Sequence, residues 1–133
     1  MPSGFRVSYR IDETKNRLLV TVRGAYEGAA LIDTLIALYQ QIDQPWSYDR
    51  VMDMRAADGF TTLPDLMRAA QALAEMAGTP PPPRKRLALI SQDPLDKPRL
   101  AGIGDIFPKD YIQTFESLDE ALTWLDTNPP EPA

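Results

Sequence analysis

Cysteine and histidine are both absent from this chain of 133 residues. Without cysteine there are no disulfides, no thiolate nucleophile and few of the usual structural zinc sites. The missing histidine excludes more. Imidazole is the side chain whose unperturbed pKa lies nearest neutrality, and it is the usual general base and metal ligand. Catalysis would fall to carboxylates, lysine, tyrosine or hydroxyls with strongly shifted properties, and no nucleophile–base pair can be assembled from their spacing. We therefore assign no catalytic residue and no metal ligand, expect no cofactor, and expect the protein not to be an enzyme. Long hydrophobic runs are missing too: short pieces such as Leu18-Leu19-Val20 fall far below the roughly 20 residues of a membrane helix. Met1-Pro2-Ser3-Gly4-Phe5-Arg6 lacks the apolar core of a signal peptide, which leads to the expectation of a cytoplasmic protein. A net charge of −5 argues against a broad nucleic-acid-binding face; such contact would need a local basic patch.

What is present suits one globular domain. A hydrophobic fraction of 44% is ordinary, and a chain of this length can bury roughly two thirds of its unfolded surface without staples. Neither an internal repeat nor an interdomain linker is visible. The expected domain spans residues 1–126, followed by a flexible tail over 127–133 that carries three prolines.

Hydrophobic periodicity orders the elements. Phe5, Val7, Tyr9 and Ile11 alternate with Arg6, Ser8 and Arg10, a period of two that marks a half-buried strand. After the polar turn Asp12 to Asn16, Leu18, Val20 and Val22 face one way and Leu19, Thr21 and Arg23 the other, so the two runs read as an antiparallel hairpin closed by Gly24. From Glu27 to Asp43 the period becomes helical, with Leu31, Leu35, Leu38 and Ile42 on one face flanked by Ile32 and Tyr39. Pro45 breaks it. Arg50 to Arg55 reads as an interior strand. Thr62 reads as the N-cap of a second helix with Asp65 completing a capping box, Pro64 in its first turn and Gly78 at its end. Its expected buried stripe is Leu63, Leu66, Met67, Ala70, Leu73, Ala74 and Ala77. Strands follow at Leu87 to Ile90 and Tyr111 to Phe115, with a third helix between them from Pro98 to Phe107. Ser117, with Glu120 three residues on, opens a last helix that buries Leu118, Ala121, Leu122 and Leu125. The order ββαβαβαβα implies an α/β fold: a central, mostly parallel sheet with an antiparallel N-terminal hairpin, covered by helices.

A hairpin, a Leu-rich helix and then Val51-Met52-Asp53-Met54-Arg55, an apolar strand ending in Asp-x-Arg, is similar to the SpoIIAA-like family. So is the ending Thr114-Phe115-Glu116-Ser117-Leu118-Asp119-Glu120-Ala121-Leu122-Thr123-Trp124-Leu125. The resemblance covers nearly the whole chain in element order. It implies a STAS-like fold related to anti-sigma-factor antagonists and compared with the lipid-binding CRAL-TRIO fold. It also implies a bacterial-type binding or regulatory module that works through a protein partner or as a homodimer. One family feature is missing. Those antagonists carry a phosphorylatable serine, often in an Asp-Ser-Ser-Gly context, before the helix that follows the third strand; here the stretch reads Asp58-Gly59-Phe60-Thr61-Thr62-Leu63-Pro64. Thr61 or Thr62 would tolerate phosphate at a helix N-terminus, but Thr62 is already explained as a cap.

Two sets of residues are candidate ligand contacts. Asp53 and Arg55, two apart on a strand, share a face at the carboxyl end of the sheet, where open α/β sheets bind ligands. The competing reading is an internal ion pair that fixes the chain after the strand, and it is the preferred one. Gly102 and Gly104 lie inside an apparent helix, each costing about 1 kcal/mol relative to Ala, beside Leu100, Ile103 and Phe107. Close helix–sheet packing offsets that cost most simply; a small apolar, lipid-like ligand held between this helix and the sheet is the alternative. Pro80 to Pro83 followed by Arg84-Lys85-Arg86 reads as a stiff connector with a solvated basic tip. Asp12-Glu13 and Asp119-Glu120 read as solvated charge.

Overall fold

The computed structural model describes residues 5–59, 62–78, 85–92 and 112–127. Within them a five-stranded sheet runs β1 (Arg6–Asp12), β2 (Arg17–Ala25), β3 (Asp49–Asp58), β4 (Leu87–Ile90) and β5 (Ile112–Phe115), in spatial order 1-2-3-4-5. The β1/β2 pair is antiparallel and every later pair parallel. The sheet is therefore the mixed one expected from the sequence. The expected helix from Pro98 to Phe107 and the run Pro80 to Pro83 lie outside the described residues.

The hairpin turn is built by side chains that suit it. Asp12 Oδ1 accepts bonds from the Thr14 amide at 3.1 Å and its hydroxyl at 2.6 Å, and Asn16 takes the left-handed conformation (φ 52°) that asparagine tolerates. Gly24 does not end the strand, which continues to Ala25.

Helix α1 (Gly28–Gln41) and helix α2 (Leu63–Ala77) connect parallel strands that step in one direction across the sheet. Right-handed crossovers then put both helices on one face. They share a core with β2 and β3: Leu18, Val20 and Val22 meet Leu31, Ile32, Leu35, Leu38, Tyr39 and Leu73. Each fully buried aliphatic side chain there contributes about 1.5–3 kcal/mol, so Leu31→Ala alone would cost about 2–5 kcal/mol. The stripe expected on α1 is the one buried. That on α2 is rotated: Met67 is 46% exposed and Ala70 and Ala74 face solvent, while Ala69, Leu73 and Met76 face the core. In this rotation Arg68, next to inward-facing Ala69, reaches back to α1 at Asp33 Oδ1 (2.5 Å) and the Ala29 carbonyl (3.0 Å). Thr62 and Asp65 form the full reciprocal cap.

Helix α3 (Leu118–Asp126) covers the opposite face through Ala121 and Leu125, which pack on Val51, Ala88 and Ile90. Ser117 caps it, accepting the Glu120 amide at 3.2 Å; the reciprocal arm runs from the Ser117 hydroxyl to the Glu120 carboxylate at 3.3 Å, not from the backbone as a full box requires. The basic tip also needs correction. Arg86 is 4% exposed. Its guanidinium donates to the Trp124, Leu125 and Thr127 carbonyls at 2.9, 2.6 and 2.9 Å and stacks 4.9 Å from the Trp124 ring centroid. Those carbonyls lie in the last turn of the helix and just past it, where intrahelical donors run out and a cation is favoured; the Trp124 carbonyl also accepts the Thr127 amide at 3.1 Å. Arg17, also buried, donates to Asp126 at 2.5 Å at the same helix end.

Candidate functional site

Strand β3 runs past the expected Arg50 to Arg55, from Asp49 to Asp58, and carries an irregularity. Thr21 pairs with Asp53 but Arg23 with Ala56, so β3 holds one extra residue at Met54-Arg55. A bulge leaves a backbone group without its ladder partner. Asp53 supplies it: Oδ1 accepts the Arg55 amide at 3.1 Å. The same carboxylate takes the Arg55 guanidinium in a two-point grip, Nε to Oδ1 at 2.9 Å and Nη2 to Oδ2 at 2.7 Å. That grip, first, then the Arg55 amide and the field of Arg23, hold the Asp53 carboxyl below the usual carboxylate value against partial burial. Asp53 lies opposite Ile90, the last residue of β4, so the pair stands where β4 ends, while β2 and β3 stay paired on to Ala25 and Asp58.

The structure thus brings Asp53 and Arg55 together. Thr62 is engaged with Asp65 in both directions: its amide donates to Asp65 Oδ2 at 3.2 Å, and its Oγ1 accepts the Asp65 amide at 3.3 Å. Thr61, Leu100, Gly102, Ile103, Gly104 and Phe107 lie outside the described residues.

Around Asp53 the structure adds residues that the sequence reading left on a solvated face. Helix α3 packs over β3, β4 and β5 and reaches β2 only at Leu19 and Arg17, so among the described residues no helix covers the α3 side of β1 or of β2 from Thr21 to Arg23. Opposed residues of an antiparallel pair share a face, and the register puts Arg6 with Arg23, Ser8 with Thr21 and Arg10 with Leu19 on this side. A partly open pocket of about 210 Å³ lies there, lined by Ser8, Arg10 and Thr21, by Asp53, and by Leu19, Val51 and Leu118 at its apolar end. The signal was in the sequence: Arg6, Ser8 and Arg10 on one strand and Thr21 and Arg23 on the next fall at period two. Among the described residues no cluster of His, Cys, Asp or Glu could hold a metal ion, and no helix is long and apolar enough to cross a membrane.

Comparison of this architecture with solved structures is informative at the level of fold. An anti-sigma factor antagonist from Mycobacterium paratuberculosis superposes with a TM-score of 0.56 at 19% identity, over 94% of this chain and 97% of that one. An uncharacterized DUF3478-family protein from Shewanella loihica PV-4, described as having a SpoIIAA-like fold, gives 0.55 at 20% identity over 92% and 94%. The chain has the SpoIIAA-like fold. No protein-family model matches the sequence, and no curated protein does either. Identity this low carries the architecture alone, since one fold hosts many functions.

Proposed function

We propose that this SpoIIAA-like chain is a non-enzymatic binding and regulatory module that acts through a protein partner, either a different chain or a second copy of itself. The open sheet face carries the reading. Its pocket of about 210 Å³ falls below the roughly 300–1,000 Å³ of small-molecule sites, which suits an anchor side chain of a partner better than a whole substrate. Arg10 lines it, with Arg6 and Arg23 on the same sheet face, and its one carboxylate is engaged by Arg55. Similarity of fold to an anti-sigma factor antagonist points the same way by analogy.

Regulation by phosphate at the start of α2 is not part of this proposal. A phosphate on Thr62 would set a dianion against the Asp65 carboxylate and remove the hydroxyl that caps Asp65 N. No observation among the described residues favours a carrier of an apolar ligand. The test is chemical crosslinking in the source cells, then reconstitution of the captured pair from purified proteins. A saturable complex of fixed stoichiometry is expected; failure of every captured protein to reconstitute would defeat the reading.

A further inference from the structure

We propose that the α3 side of β1 and of β2 from Thr21 to Arg23, which no helix covers among the described residues, is the docking face, and that its occupant is an extended acidic segment of the partner in which two carboxylates flank an apolar residue. This rests on the partner-binding reading above.

Uncompensated charge is the first argument. Arg6 stands directly opposite Arg23, and like charges so placed repel across a separation of about 5 Å. Arg6, Arg10 and Arg23 are all exposed, and among the described residues none of their side chains makes a hydrogen bond or ion pair, Arg10 and Arg23 acting on Asp12 and Asp53 only through their fields. The neighbouring carboxylates are taken: Asp53 by Arg55, and Asp12 by the amide and hydroxyl of Thr14. In a chain of net charge −5, cations left unpaired on one surface create a local field that attracts an anionic partner and raises its rate of encounter.

Spacing is the second. Arg6 and Arg10 are four strand residues apart, about 14 Å at roughly 3.4 Å per residue. Midway between them, Ser8 and Thr21 open the pocket whose apolar end is Leu19, Val51 and Leu118. An extended segment presents alternate side chains to one face at the same rise. Acidic residues at i and i+4 therefore reach Arg6/Arg23 and Arg10, and an apolar residue at i+2 enters the pocket. A nucleic-acid strand fits less well. Its phosphates would meet the Asp53 carboxylate, and so few arginines would release too few counterions for appreciable affinity.

The test starts with a random peptide library displayed on phage and selected on the wild-type protein. A fluorescent peptide of the enriched consensus is then titrated against wild type, Arg6→Ser/Arg23→Ser and Arg10→Ser by anisotropy. Both variants should keep the wild-type melting temperature or exceed it, because the substituted arginines are exposed and the first variant relieves a like-charge pair. The expected result is a consensus of acidic-x-apolar-x-acidic form that binds each variant about tenfold or more weakly than wild type. No enrichment, a consensus without acidic residues, or equal binding by the variants would overturn the proposal. So would a duplex DNA probe that binds more tightly than the peptide and shows the same arginine dependence. The crosslinked partner separates the two levels of the argument. If it binds the variants as tightly as wild type, this face is not its site and the inference fails while the partner-binding reading stands. If no partner reconstitutes with any of the proteins, the reading itself fails.

Discussion

Replacing Arg86 with methionine keeps the apolar stem and removes the guanidinium that closes the end of α3. In the structure that group supplies partners for three carbonyls, including that of Leu125, whose side chain lies in the core beneath the helix. Hydrogen bonds from a charged donor contribute about 1.5 kcal/mol each or more, and a cation at a helix C-terminus adds up to about 2 kcal/mol when partly buried. Against this stand the desolvation of the guanidinium and its Nε, which has no partner among the described residues; an orphaned buried donor costs about 1–3 kcal/mol. The net loss for Arg86→Met is about 3 kcal/mol, or a fall of about 9–15 °C in Tm for a domain of this size. Arg86→Lys should recover less than half, because an ammonium cannot fork between carbonyls as a guanidinium does. Urea and thermal unfolding measure the total, and hydrogen exchange should show the amides of α3 losing protection before those of α1. A loss of less than about 1 kcal/mol would refute the reasoning, because it would mean that desolvation cancels the bonds.

Other perturbations test other parts of the structure. Thr62→Ala removes the hydroxyl of the reciprocal cap and should cost about 1 kcal/mol in urea unfolding; a neutral result would mean that Asp65 holds the helix start alone. At Gly59 an added Cβ would meet the Tyr26 carbonyl oxygen at 2.6 Å, and that backbone is fixed by Tyr26 N donating to Asp58 O at 2.9 Å. Gly59→Ala should therefore cost about 1–3 kcal/mol, and a stable variant with unchanged Tm would contradict the close approach. The carboxyls of Asp12, Asp53 and Asp126 are held below the usual 3.8, chiefly by the Thr14 hydroxyl, Arg55 and Arg17 respectively. Because the folded values lie below the unfolded ones, the stability they supply is present above the unfolded value and is lost as pH falls through the folded ones. With no histidine in the chain, the urea midpoint should stay flat from about pH 5.5 to 8 and decline below about pH 4. A step between about pH 6 and 7 would point to a strongly shifted group that this account lacks.

The fold was legible where one physical rule dominated. Alternation at Leu18, Val20 and Val22 and the helical stripe of α1 each had a single interpretation, the hydroxyl–carboxylate pair Thr62/Asp65 read best as a cap, and the structure realises each. The register of α2 was not legible, because alanines occupy both of its faces and the tie from Arg68 to α1 is a tertiary contact. Arg86 was misread for a related reason: a short basic run after prolines resembles a solvated tip, and nothing local reveals that carbonyls from a helix dozens of residues away need a donor. For the candidate site, the Asp53/Arg55 neighbourhood could be seen as an i, i+2 pair, whereas the bulge that makes Arg55 N–H dependent on Asp53 needs the register with β2. The cationic face was written in the hairpin as alternate polar positions. What the sequence did not show is that, among the described residues, no helix covers it.

Native mass spectrometry of the protein, purified gently from its own source, tests the central claim most directly. A partner-binding module should appear as a defined complex with a second protein or a second copy, carrying no extra small mass. A monomer that reproducibly retains an adduct of lipid or metabolite size would contradict that claim and make the chain a carrier.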